Sequence, residues 1–423
     1  MTLRQKIQQE IHDRGPIPFS RYMEMCLYDP EFGYYSHAQE KFGKGGDFYT
    51  SSDVHAVFGR LLGRQFEEMW RALDSPEQIE VLELGPGRGL FAQDVLDWSE
   101  KKFPDFYRAV HYTLAESSPS LAERLASQFR KRIEAGKVTV LAGLSDVGPS
   151  SGAVTQTPTG EAAHRSAPLT LRPTRENHEP EGFGFSRAEK PPKLQRTLSP
   201  EVPLIVFANE FFDALPVEIL SAKGSLRVAA RDGRFLDEWA ASTKHELDFL
   251  DHYGVHPDTN GRTEVALRSQ SLMTRVAAGI ERGFLIAIDY GYTREQQLAG
   301  RYLDTLMTYR RHTTSPDPYQ VPGAQDITAH VNFTALSGAA EQGGLQVKKL
   351  RTQSQFLLGI GEATQFADAF EECRLPQERA KVAMQLKHLI TPEGMGDTFQ
   401  VLVASKGVDA SAVETLSGLS FCM

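Results

Sequence analysis

Three glycines spaced two apart, Gly85, Gly87 and Gly89, are the residues of this chain best suited to admit a ligand to the backbone. They follow the apolar run Val81, Leu82 and Leu84, which has strand character, and precede helix-compatible sequence from Leu90 to Leu96. A glycine turn at a helix N-terminus offers free N–H groups with no side chains in the way. The dinucleotide fingerprint requires glycines spaced G-x-G-x-x-G; here the third comes one residue early. An ordinary strand-to-helix turn remains open from this stretch alone. Glu116, at the end of a second strand through Tyr112 to Ala115, is placed to accept hydrogen bonds from both hydroxyls of a ribose.

A second group of reactive side chains follows the apolar run Leu204 to Ala208. Asn209, Glu210 and Asp213 leave the carboxyl end of that strand, where open parallel α/β sheets bind ligands, although Asp213 could instead cap the next turn. The strand Phe284 to Ile288 ends at Asp289-Tyr290-Gly291. Asp326 and His330 stand four apart and would face each other on a helix, giving an imidazole held by a carboxylate, or simply a local structural hydrogen bond.

The elements that must position these groups alternate in α/β fashion. Residues 2 to 14 read as a helix stopping at Gly15-Pro16, a second helix starts at Ser20 and ends at Asp29-Pro30, and Asp53 to Leu73 reads as a long amphipathic helix. Between them, the aromatic turn at 31 to 36 and the glycine and hydroxyl cluster at 42 to 52 read as a lid or an anchored surface loop. A helix from Leu121 to Ala135 and a third strand from Lys137 to Leu141 follow. Residues 149 to 203 lose apolar periodicity and are rich in proline, glycine and scattered charge, the composition of a disordered insertion. Short strands, Trp239 and an amphipathic helix through Leu272, Val276 and Ile280 occupy 218 to 282, an excursion suited to substrate recognition. Closing strands are expected at Leu345 to Leu350 and Thr398 to Ala404, with helices at 364 to 373 and 377 to 389 between them.

Composition narrows the function classes. The 423 residues carry a formal net charge of -9, which provides no global attraction to nucleic acid or anionic lipid. No apolar run is long enough for a membrane span. The 3 cysteines, Cys26, Cys373 and Cys422, are far apart and lack metal-ligand spacing, so neither a disulfide framework nor a metal site is expected.

The glycine turn, with Glu83 inside its strand, resembles the first motif of S-adenosylmethionine-dependent methyltransferases. Further stretches extend the likeness: Pro18 to Glu24, Tyr28 to Tyr35, Gly46 to Ser51, Asn209 to Val217, Asp289 to Gly291, Gln325 to Phe333 and Ser354 to Leu357. Together, in this order, they closely resemble the MidA family over nearly the whole chain, except the segment at roughly 149 to 203.

The resemblance implies a Rossmann-like, seven-stranded class I methyltransferase sheet with an N-terminal helical or lid segment (1–75) and an inserted substrate-recognition lobe. The cofactor-binding half would span 76–148, and the rest of the core 204–423. S-adenosyl-L-methionine would be the cofactor, held by Gly46, Asp47, Thr50, Glu83, Gly85, Gly87, Gly89 and Glu116. Asn209, Glu210, Asp213, Asp289 and His330 would form the catalytic group, without a metal. The mitochondrial branch of the family implies an arginine on a respiratory complex I-type subunit, or on another acceptor protein, as substrate; a homodimer is compatible with the sequence. Without an arginine-rich, acid-poor leader, a bacterial cytoplasmic location is expected, or the mitochondrial matrix for a eukaryotic chain. Two rival readings are a nicotinamide or flavin oxidoreductase, disfavoured by the glycine spacing, and a non-catalytic assembly factor on the same fold.

Overall fold

The computed structural model describes residues 1–36, 56–142, 199, 201–310, 313–362 and 364–420. Helices Leu3–Arg14 and Phe19–Tyr28 flank the short strand β1 (Ile17–Pro18). The first helix starts at a capping box in which Thr2 and Gln5 exchange hydrogen bonds. Helix Ala56–Ala72 then leads to β2 (Ile79–Leu84), β3 (Val110–Glu116), β4 (Val138–Ala142) and β5 (Leu204–Asn209). The excursion at 218–282 contains β6 (Glu218–Ser221), β7 (Gly224–Arg231), β8 (Arg234–Ala240) and β9 (Arg262–Val265), followed by helix Leu267–Gly279.

The chain returns through β10 (Gly283–Tyr292), β11 (Met307–Arg310), β12 (Thr313–Ser315), β13 (Asp326–Thr328) and β14 (Val331–Asn332). It closes with β15 (Gln346–Val347), β16 (Arg351–Thr352) and β17 (Phe399–Lys406).

Nine strands form the main sheet, with a path of β15-β17-β10-β5-β2-β3-β4; β14 pairs beside β10 and β16 beside β17. Strands β2, β3, β4, β5 and β10 run parallel, whereas β17 lies antiparallel to β10 from Phe399 to Lys406. Parallel strands covered on both faces are buried throughout, and all six residues of β2 are, its acids Glu80 and Glu83 accepting the Thr113 and Tyr112 hydroxyls of β3. On one face Phe66, Phe91 and Phe207 pack together, the last two stacked at 4.3 Å between ring centroids. The other face is covered by helices Leu267–Gly279 and Phe333–Gln342 through residues such as Leu272, Val276, Leu336 and Ala339.

The excursion forms a separate five-stranded antiparallel sheet, joined by β1 of the N-terminal segment. Ile7, Phe19 and Tyr22 of that segment share one apolar cluster with Ile219, Leu226 and Val228 of the excursion. Differences from the sequence expectations are local. The helix expected at 121–135 is divided at Phe129 into Pro119–Gln128 and Arg130–Glu134. The closing strand expected at 345–350 is divided into β15 and β16, both on β17. Among the described residues, no helix is long and apolar enough to cross a membrane.

Candidate cofactor and acceptor site

All three loop glycines have positive φ, at 65°, 52° and 70° for Gly85, Gly87 and Gly89, a region that favours glycine. Their surroundings differ. A Cβ on Gly85 would lie 2.7 Å from the Phe211 ring, and one on Gly89 would lie 2.5 Å from Leu125. A Cβ on Gly87 would have nothing within 4 Å. The outer glycines allow the loop to pack, while the middle one faces open space at the start of helix Leu90–Lys102.

Glu116 ends β3 beside this loop. Its carboxylate accepts the Gly87 N–H at 3.2 Å and the Ser118 N–H at 2.8 Å. Burial pushes its carboxyl up to about 7, while the backbone donors at Ser118 and Gly87 oppose that rise. With backbone donors at Ser118, Gly87 and Ser117, a carboxylate with four acceptor positions still has one open, so Glu116 retains the capacity to receive a ribose hydroxyl. Glu83 faces a different environment. It is buried, accepts the Tyr112 hydroxyl at 2.9 Å, and is pushed up to about 8, chiefly by burial. Gly46, Asp47 and Thr50 lie outside the described residues.

The turn after β5 is organised by an acid on β10. One carboxylate oxygen of Asp289 accepts the N–H groups of Phe211, Phe212 and Asp213 at 3.1, 2.9 and 3.3 Å, and the other accepts the Tyr290 N–H at 3.0 Å. Asp213 in turn accepts the Tyr290 hydroxyl on one oxygen, while its other oxygen is buried and accepts no hydrogen bond. Burial pushes Asp213 up to about 6 and, with Asp213 and Glu210 alongside, pushes Asp289 well above the usual carboxylate range. The four N–H groups on Asp289 work in the opposite direction, favouring its charged form. Asp289 therefore holds the turn together; both of its oxygens are already engaged.

Asn209 donates to the Glu210 carboxylate at 3.2 Å. Glu210 has φ 49°, a costly conformation for a residue with a side chain, and its N–H continues the sheet by donating to Ile288 at 2.9 Å. His330 reaches the same region, its ring edge-on to Tyr290 at 5.1 Å between centroids. Its buried Nδ1 has no partner, and burial lowers its pKa, favouring neutral imidazole.

The facing Asp326 and His330 pair expected of a helix does not form. These residues lie in and after β13, and Asp326 instead accepts the Tyr35 hydroxyl at 3.1 and 3.2 Å. The structure thus brings Asp213, Asp289 and His330 to Tyr290, whose linking hydroxyl the sequence marked only by its position next to Asp289, while Asn209 and Glu210 stand at the start of the same turn. Among the described residues no group of three or more His, Cys, Asp or Glu is arranged to hold a metal.

Comparisons with known proteins agree with this geometry. Residues 61–351 match the family model described as "Putative S-adenosyl-L-methionine-dependent methyltransferase". A protein arginine methyltransferase NDUFAF7 homolog, mitochondrial, from Drosophila melanogaster is 27% identical over 99% of this chain and 88% of its own length. The human protein arginine methyltransferase NDUFAF7 is 25% identical over 93% of this chain and 81% of its own. A solved structure of a candidate methyl transfer enzyme from Burkholderia thailandensis, bound to S-adenosyl-homocysteine, is similar with a TM-score of 0.71 and 26% identity, covering 96% of this chain and 92% of that one. The open face of Gly87 and the spare acceptor capacity of Glu116 fit such a ligand. With the match covering more than half of its length, the chain belongs to the MidA-like family of S-adenosyl-L-methionine-dependent methyltransferases, with S-adenosyl-L-methionine as cofactor.

Proposed function

We propose that the chain is a protein arginine N-methyltransferase whose acceptor side chain lies against Glu210 and Asp213. The order of the main sheet, with antiparallel β17 inserted beside β10, supports the class I methyltransferase arrangement expected from the motifs. Gly85, Gly87 and Gly89 would carry the cofactor's amino acid portion and Glu116 its ribose. S-adenosyl-L-methionine supplies a methyl group on a positive sulfonium, and the protein must align the acceptor nitrogen with it and exclude water.

The observation that carries the arginine reading is the buried, unbonded oxygen of Asp213, with Glu210 in the same turn and both acids acting on Asp289. A guanidinium presents a planar fork of N–H donors, and paired carboxylates bind that fork while orienting one nitrogen. Asn209 positions Glu210. When nitrogen gains the methyl group it loses a proton. Asp213 or neutral His330 accepts that proton, whereas Asp289, saturated by backbone N–H groups, shapes the turn.

The names of the mitochondrial relatives favour a protein arginine as acceptor, and a respiratory complex I-type subunit is the first acceptor to test. The 218–282 lobe and the N-terminal helices, which share a core, form the acceptor-recognition side.

Glu210→Gln should abolish transfer of tritiated methyl groups to protein while leaving cofactor affinity within a few fold. Full activity in this variant would remove Glu210 from the mechanism. Transfer absent from the wild type, with cofactor binding intact, would instead favour a non-catalytic assembly factor.

A further inference from the structure

The segment from Tyr28 to Ser36 touches both halves of the site. It is built stiffly on the end of helix Phe19–Tyr28. Asp29 accepts the N–H groups of Glu31 and Phe32 at 3.0 and 2.9 Å, and Lys6 pairs with it at 3.1 Å. Gly33 returns so close that a Cβ there would lie 2.6 Å from the Asp29 backbone, and Tyr34 N–H donates to the Cys26 carbonyl at 2.9 Å. The buried Tyr34 side chain belongs to the apolar cluster shared by the N-terminal helices and the second sheet.

From this base the segment reaches the cofactor side through its main chain. The Ser118 hydroxyl donates to the Tyr35 carbonyl at 3.0 Å and the Ser120 hydroxyl to the Ser36 carbonyl at 3.1 Å. Ser118 is the residue whose N–H holds Glu116, and Glu116 holds Gly87. Side chains of the same segment reach the acceptor side. The Tyr28 hydroxyl donates to the Ala214 carbonyl at 3.0 Å, directly after Asp213, and the Tyr35 hydroxyl donates to Asp326. The two rings lie 5.5 Å apart. Asp326, Asp213 and Glu116 all act on the Tyr28 hydroxyl, which burial already pushes well above its ordinary range.

We infer that Tyr28 and Tyr35 are positioning residues that fix the cofactor's ribose loop and the acceptor turn in one frame. A rigid bridge with contacts at both ends makes the two sites energetically coupled, and such coupling is reciprocal. Loosening the bridge at its acceptor end therefore weakens cofactor binding at the other. The inference rests on Gly87 and Glu116 forming the cofactor site, and does not depend on arginine being the acceptor.

The test is calorimetric titration of S-adenosyl-homocysteine into the full-length protein, Tyr35→Phe, Tyr28→Phe, Ser118→Ala/Ser120→Ala, and Tyr35→Phe combined with the serine pair. Each tyrosine variant removes one hydroxyl donor and the serine pair removes two, so affinity should fall by about three- to tenfold in each. The combined variant should bind no more weakly than the worse of its parents, because the bridge is already broken in either. Melting temperatures of the unliganded variants should stay close to wild type, separating lost coupling from lost fold. Unchanged affinity in both tyrosine variants, or losses that multiply in the combined variant, would overturn the inference while leaving the cofactor site standing. A wild-type protein that fails to bind S-adenosyl-homocysteine would overturn the cofactor site and this inference together.

Discussion

Asp289 holds the main chain at Asp213: a single carboxylate oxygen on β10 receives the Asp213 N–H and those of the two phenylalanines before it. The acceptor turn is thus fixed by a residue 76 positions later in the chain. Asp289→Ala would leave buried N–H groups without acceptors, each costing roughly 1 to 3 kcal/mol, and should lower unfolding free energy by about 3 kcal/mol or more in urea. Asp289→Asn keeps one acceptor oxygen and should lose less. Equal stability of the alanine variant and the wild type would contradict the role of Asp289 as the organiser of this turn.

The three loop glycines should separate into two classes. Gly89→Ala places a methyl group against Leu125 and Phe129 and should destabilise the fold by a few kcal/mol, from clash and positive φ together. Gly87→Glu meets no such obstruction and should cost only about 1 kcal/mol in stability from its φ, while abolishing S-adenosyl-L-methionine binding. Thermal melts and calorimetry on the same samples distinguish the two; cofactor binding retained by Gly87→Glu would reject the placement of the ligand.

Cofactor affinity should depend on pH through Glu116. A ribose hydroxyl donates to its carboxylate form, and burial raises its carboxyl from 4.5 to about 7. Affinity therefore approaches its full value only well above pH 7 and falls as pH drops, by about tenfold between pH 8 and pH 6 if only this group titrates. Glu116→Gln should bind weakly at both values and lose the slope. The same shift has the opposite sign for stability. The folded chain holds this proton more tightly than the unfolded chain, so the Glu116 contribution to unfolding free energy declines as pH rises from 4.5 to 7.

Glu210 should show a conflict between stability and activity. Its φ of 49° carries strain that glycine would not, so Glu210→Gly should raise unfolding free energy by about 1 kcal/mol while removing methyl transfer. A variant less stable than the parent would mean that the contacts of the Glu210 side chain outweigh its strained backbone.

How much of this was legible in the sequence depended on the range of the interaction. The glycine turn, the apolar runs of β2, β5 and β10, and the acids at the strand ends are local patterns, and their sequence positions agree closely with the elements formed. The exchange of the expected Asp326 and His330 pairing for Asp326 and Tyr35 could not be read, because β13 breaks helical spacing and Tyr35 lies 291 residues away. The resemblance puts Asp289 in the catalytic group, yet its saturation by N–H groups comes from a turn on another strand. The link from Ser118 to Tyr35 is equally silent in sequence, since it joins a hydroxyl to a main-chain carbonyl 83 residues away.

The position of β17 has a consequence for how the protein is made. This strand comes from the end of the described chain, yet it lies inside the main sheet between β10 and the short β15 and β16, paired with β10 over eight residues. Until residue 406 has left the ribosome, β10 presents an open edge carrying Leu285, Ile286 and Ile288. The acceptor turn hangs from Asp289 on that strand. The sheet therefore cannot close before β17 has emerged, and until then β10 offers an edge on which another strand can pair.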